Sequence, residues 1–341
     1  MSLSFIEKSN LNEILKRLGN SYTLHLQDKY KQDLHFTKYS EEKLKGSCVG
    51  EYRAEEPIKS FFSRAKEKVS DYFTPEVEGF RSTNVIVGAK SCDLESFKIQ
   101  DFVFMESEPK EQAYVNKREN SIIISADCTA FKEVCYCLYL GIKPYPEKGF
   151  DLNLSPVKHG YVVETGSEKG QKLINVFGNL FREATAEEVQ IRDKARAELC
   201  EKLNASISRM NLPPKDSLYS LVKKGLDNPT WKKWADKCVE CGACTHSCPT
   251  CHCFLLYDAP QETKFIRGRV WDSCQYHGFA VVAGGASPRP RLAQRLRNRY
   301  VKKFEFFPDV SKTIACTGCG RCIEACIGKI DMREVFKDLA K

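Results

Sequence analysis

Leu11, Ile14, Leu15 and Leu18 recur on one face of a helix, and Gly19 closes that pattern. The opening stretch MSLSFIEKSNLNEILKRLG mixes acidic and polar residues with apolar ones, so it reads as an amphipathic helix and not as a signal peptide. Tyr22, Leu24 and Leu26 then alternate as a strand does. Two short apolar runs, NVIVGA at 84–89 and SIIIS at 121–125, have the length and β-branching of buried strands. Helical and strand patterns thus alternate through residues 1–182, which predicts an α/β domain. From Glu183 to Ser206 a long helical pattern follows, with Thr185 and Glu188 spaced as a capping box. It predicts a helical connector over 183–214, ended by Pro213 and Pro214. Residues 215–341 are then mostly helical, beginning with short stretches such as WKKWADK, and the fold class is α+β. Trp231 and Trp234 lie three apart on that helix and predict a packing face over whatever Cys238 binds.

The second half repeats one spacing. CVECGACTHSC from Cys238 to Cys248 and CTGCGRCIEAC from Cys316 to Cys326 both follow Cys-x2-Cys-x2-Cys-x3-Cys, the spacing of paired [4Fe-4S] clusters. In such a pair three thiolates on one loop hold one cubane, and the fourth cysteine, expected at the start of a helix, reaches the neighbouring cluster. One cluster is therefore expected on Cys238, Cys241, Cys244 and Cys326, the other on Cys316, Cys319, Cys322 and Cys248. This predicts a two-cluster ferredoxin-like domain and a chain that moves electrons. Ile327 stands where the first motif has Pro249, which predicts a looser exit after the fourth ligand.

Of the 17 cysteines, others also fall in groups. Cys92 and Cys128 each come three residues after an apolar run, where ligands gather at the carboxyl ends of parallel strands. With Cys135 and Cys137 they make four thiols, enough for a third cubane or a tetrahedral zinc, or else four buried free cysteines. The 67 residues between Cys248 and Cys316 exceed what a compact two-cluster ferredoxin needs. They carry Cys251, Cys253 and Cys274, one thiol short of a further cubane, with Asp258, Asp272, His252 or His277 as candidate fourth ligands. Cys200 and Cys48 have no partner at metal spacing.

Charge and composition narrow the setting. The 341 residues are 42% hydrophobic and 29% charged, no window holds 18 apolar residues, and cluster spacings in a cysteine-rich chain suit a reducing compartment, so the cytoplasm is expected. Net charge is +8, concentrated partly at Arg289, Arg291, Arg295, Arg297, Arg299, Lys302 and Lys303. Such a run can meet nucleic-acid phosphates or a docking partner. Lying between the cluster motifs, it can also set cations beside an anionic cluster and raise its potential. We expect no nucleic-acid partner and no membrane insertion. There is no Gly-x-Gly-x-x-Gly, no Walker loop and no nickel-ligand pattern, so no flavin or nucleotide site and no catalytic residue is assigned.

CPTCHCF, RGRVWDSCQ, AGGASPR, RLRNRY and CTGCGRC, preceded by KSCDLESFKIQD and CTAFKEVCYC, resemble the iron-sulfur beta subunit of cytoplasmic sulfhydrogenases and its iron-sulfur counterpart in anaerobic sulfite reductase. The resemblance runs from about Asn84 onward. It implies an electron-transfer protein, not catalytic alone, that carries [4Fe-4S] clusters between a flavin and [2Fe-2S] NAD(P)H-linked subunit and the catalytic subunit of a hydrogenase, sulfite reductase or disulfide reductase. The alternative is a chain that itself reduces sulfur compounds at an incompletely ligated cluster on Cys251, Cys253 and Cys274.

Overall fold

The first departure from the sequence pattern comes within seven residues. Phe5 and Ile6 lie in a strand, β1 (Ser4–Glu7), and the helix begins only at Lys8. This helix (Lys8–Ser21) buries Leu11, Ile14, Leu15 and Leu18 as expected, but runs past Gly19, which packs against the Tyr39 ring. Phe5 and Ile6 are both buried in that strand. The computed structural model describes residues 3–46, 49–71, 83–261 and 264–341, and Cys48 lies outside them.

Along the chain follow β2 (Thr23–Tyr30), β3 (Asp33–Lys38), β4 (Lys66–Asp71), β5 (Asn84–Ala89), β6 (Ile122–Ala126), β7 (Leu152–Val157), β8 (Gly160–Thr165) and β9 (Phe181–Glu183). All but β4 join one sheet in the order β3-β2-β5-β6-β7-β8-β1-β9, in which β2, β5, β6 and β7 run parallel. Val85, Val87 and Ile124 face the first helix, while Ile86 and Ile123 face Ile58, Phe62, Phe97 and Tyr114. Burial on both faces explains why these strands read as unbroken apolar runs. The connector helix (Ala186–Ser208) starts at the expected cap, with Thr185 and Glu188 exchanging both hydrogen bonds of the capping box.

The second half packs short helices around Trp231, Trp234, Tyr300, Phe304 and Phe336, and Cys238, Cys316, Cys322 and Cys326 border that core. The tryptophans therefore form the expected packing face. The long insertion adds a β-hairpin, β10 (Phe254–Gln261) and β11 (Lys264–Trp271), and β4 from the first half completes its sheet as the third strand. This sheet ties residues on either side of the connector. Among the described residues no helix is long and apolar enough to cross a membrane.

Candidate iron-sulfur centres

The two cysteine motifs fold almost identically. Each turns at a left-handed glycine, Gly242 at φ 72° and ψ −5° and Gly320 at φ 72° and ψ −4°, into a one-turn helix, Ala243–His246 or Arg321–Glu324. Matching bonds repeat in both: Thr245 N to Gly242 O and Ile323 N to Gly320 O are each 2.9 Å, and Cys248 N to Thr245 O and Cys326 N to Ile323 O are each 3.3 Å. The fourth cysteine thus follows a helical turn and does not begin a helix, contrary to expectation. The glycine cap has already spent the turn on the residues between the third and fourth thiols. Nor does Ile327 loosen the exit: Lys329 N reaches Cys326 O at 3.1 Å, as Cys251 N reaches Cys248 O at 3.3 Å, with Lys329 taking φ 53°.

Cys238, Cys241, Cys244, Cys322 and Cys326 line one small cavity of about 30 Å³ together with Arg299. Cys322 acts electrostatically on Cys316, and Cys248 and Cys319 act on Cys322. Cys326 of the second motif thus lines a cavity with the thiols of the first, and Cys248 of the first acts on Cys322 of the second. Donors surround them: Lys303 Nζ reaches Cys248 Sγ at 3.2 Å, Tyr136 Oη lies 3.3 Å from Cys316 Sγ, and Ile330 N reaches Cys326 Sγ at 3.3 Å. Arg299 bonds Cys244 O at 3.3 Å, yet among the described residues its buried Nε has no partner. A buried donor left open beside thiols fits an acceptor such as a cluster sulfide.

Arg295, Arg299 and Lys303, spaced four apart, are buried, so the basic run turns one stripe inward. Arg295 pairs with Glu240 at 2.8 Å and caps Gln275 O at 3.0 Å. Of the run, Arg299 and Lys303 are the buried members that contact cysteines.

In the first half Cys92 and Cys128 follow the adjacent parallel strands β5 and β6. Cys128 acts on the buried Cys92 thiol, and Cys128 and Cys135 both act on Cys137. Burial is the first cause that pushes the Cys128 thiol up, to about 12, with Lys90 opposing it. Among the described residues no three cysteine sulfurs lie within 4.8 Å of one another. The acidic trio Asp33, Glu55 and Glu324 does lie that close, but it is gathered by Lys132 Nζ at 3.0, 2.6 and 2.7 Å.

This group abuts the second motif. Tyr136 N bonds Gly318 O at 2.8 Å, and Cys135 Sγ lies 4.0 Å from Cys319 O. A Cβ on Gly318, at φ 63°, would stand 2.7 Å from Cys137 Cα. Three buried cations that sequence reasoning missed bind here: Arg53 Nε caps Cys319 O at 2.8 Å, Lys90 Nζ bonds Val49 O and Asp127 O at 3.0 Å each, and Arg321 pairs with Asp93. Lys90 directly precedes Ser91 and Cys92, and Arg321 sits inside the second motif. Both stand beside candidate ligand cysteines in the sequence, but nothing in their spacing announces burial.

Cys251, Cys253 and Cys274 line a larger cavity of about 350 Å³, walled also by His252, Phe254, Phe307, Arg289, Arg299, Lys302 and Lys303. Cys274 is drawn down to about 6, first by its hydrogen bond with Cys253, then by Gln275, Arg299 and Lys303 against the effect of burial. Lys59, also unforeseen, bonds Cys251 O at 2.9 Å and Thr245 O at 3.1 Å.

Such loops define a dicluster iron-sulfur protein, and residues 237–330 match the family model described as a 4Fe-4S dicluster domain, so the chain carries at least two [4Fe-4S] clusters. It is 31% identical over 287 residues to Sulfhydrogenase 2 subunit beta of Pyrococcus furiosus, covering 83% of this chain and 82% of that one. The chain belongs to this iron-sulfur beta-subunit family of oxidoreductases. A second relative, the F420-dependent formate dehydrogenase subunit beta of Methanocaldococcus jannaschii, is 22% identical over 178 residues, 51% of this chain and 37% of its own length.

Proposed function

We propose that this chain is a cytoplasmic electron-transfer subunit that relays single electrons between a flavin and [2Fe-2S] NAD(P)H-linked subunit and a catalytic subunit of hydrogenase, sulfite reductase or disulfide reductase type. Its ligands would be Cys238, Cys241, Cys244 and Cys326 for one cubane, Cys316, Cys319, Cys322 and Cys248 for the next, and Cys92, Cys128, Cys135 and Cys137 for a third. Each cubane, when bound, takes up and returns one electron. The observation that carries the reading is the contiguity of the thiol sets. Cys135 Sγ lies 4.0 Å from Cys319 O, and Cys322 acts electrostatically on Cys244. The buried cations Arg53, Arg299, Arg321 and Lys303 beside these sets would supply the positive charge that a row of anionic clusters needs.

The test uses the full chain purified without oxygen. Dithionite is expected to bleach the absorbance near about 400 nm, a band general to iron-sulfur clusters. NADH alone should not, because splitting a hydride into single electrons needs a flavin. NADH bleaching should appear on adding a flavoprotein partner. Rapid bleaching of flavin-free chain by NADH would overturn the relay reading.

A further inference from the structure

The cavity at Cys251, Cys253 and Cys274 lacks a fourth thiol, and the structure narrows the choice of replacement. Asp258 is engaged by Arg267 on the hairpin at 2.9 and 3.1 Å. Asp272 accepts from Ser273 N at 2.7 Å, and His277 is exposed. Neither of these two borders the cavity that the three cysteines share, whereas His252 does. The His252 ring is fixed twice over. It meets Phe104 and Phe307 edge-on, with centroids 6.3 and 5.5 Å away, and its Nδ1 lies 3.1 Å from Thr250 O. A carbonyl oxygen only accepts, so Nδ1 carries the proton and Nε2 keeps the lone pair. A backbone carbonyl that fixes the tautomer in this way is the usual support of a metal-binding histidine.

The cavity walls favour an anionic occupant. Arg299, whose buried Nε has no partner among the described residues, borders it together with Arg289, Lys302 and Lys303. Its volume of about 350 Å³ far exceeds the 30 Å³ at the first motif. Cys251 also hydrogen-bonds Cys248, which brings this site against the second cubane's ligands.

We propose that this cavity holds a further [4Fe-4S] cluster bound by Cys251, Cys253 and Cys274 through sulfur and by His252 through Nε2. This rests on the relay reading and deepens it: all four irons are ligated, so the site passes electrons and does not bind a sulfur substrate on an open iron. Replacing one thiolate by a neutral imidazole leaves the cluster one negative charge lighter, which raises its potential.

The test compares full-length wild type, Cys253→Ala, Cys274→Ala, His252→Cys and His252→Ala, all purified without oxygen. Each cysteine variant should lose about four irons per chain relative to wild type, with the electron paramagnetic resonance signals of the two motif clusters retained. Reduced wild type should show a nitrogen coupling in pulsed resonance spectra. His252→Cys should keep the iron, lose that coupling and titrate at a lower potential. His252→Ala should lose the coupling too. Unchanged iron in both cysteine variants would overturn the cluster. A full iron count without the nitrogen coupling in wild type, or its persistence in His252→Cys, would overturn the histidine. Dithionite bleaching of the motif clusters in the same samples tests the relay reading separately.

Discussion

Lys303 Nζ donates a hydrogen bond to Cys248 Sγ at 3.2 Å, with both residues buried. Its other contacts are Thr250 Oγ1 at 2.8 Å and Ala315 O at 2.9 Å, so the ammonium is saturated. A fixed cation on a ligand sulfur favours the more negative, reduced cluster. Lys303→Met should therefore lower the potential of the cluster that Cys248 ligates. Losing on the order of 1–2 kcal/mol of differential stabilisation corresponds to about 40–90 mV for one electron. A redox titration followed by electron paramagnetic resonance measures it, and an unchanged midpoint would exclude the role.

The cavity shared by Cys238, Cys241, Cys244 and Cys326 makes the crossed pairing testable. Cys326→Ser should damage the cluster held by the first motif, and Cys248→Ser the one held by the second. Spectra of the reduced variants decide. If Cys326→Ser disturbed only the cluster at Cys316, Cys319 and Cys322, each motif would close on itself.

The motif cysteines were legible because ligand spacing is a local property of the chain, and the paired loops need nothing distant to form. The place of Cys92 and Cys128 beyond the ends of two adjacent parallel strands was legible too, from the apolar runs that precede them. What the sequence hid is what distant segments supply. Arg53 meets Cys319 across 266 positions, and β4 joins the hairpin of the insertion from the other side of the connector. The sequence could place the basic run between the cluster motifs but could not say which of its members turn inward, because Arg295, Arg299 and Lys303 are held by Glu240, Cys244 O and Cys248 Sγ from other segments. Likewise β1 reads as helix because a four-residue strand takes its identity from its neighbours β8 and β9.

Gly318 is where two thiol sets meet backbone to backbone. An alanine there would put its Cβ 2.7 Å from both Cys137 N and Cys137 Cα, at φ 63°. The left-handed backbone alone costs a non-glycine residue about 1–2 kcal/mol, and the contact adds to it. Gly318→Ala should lower the thermal midpoint and reduce the iron held by both the second motif and the Cys135/Cys137 group. Loss confined to one of them would mean that the two sites do not share this contact.

Asp93 follows Cys92 directly, and Arg321 directly precedes Cys322. The two side chains form one ion pair through a 3.0 Å hydrogen bond and a second approach of 2.9 Å, both almost wholly buried. Arg321 Nε also bonds Ala54 O at 2.9 Å. The pair thus bolts the second motif to the segment after β5. Asp93→Asn keeps the shape but strands a buried guanidinium, and removing one partner of such a pair typically costs about 3–5 kcal/mol. The double variant Asp93→Leu with Arg321→Met removes both charges and should recover most of that loss, since apolar replacements of buried pairs are often neutral. Anaerobic thermal unfolding of wild type, the single variant and the double variant measures the cycle. A double variant no more stable than Asp93→Asn would mean that the charge pair is needed for something beyond its own compensation, such as balancing the thiolates of Cys92 and Cys319 that act on Arg321.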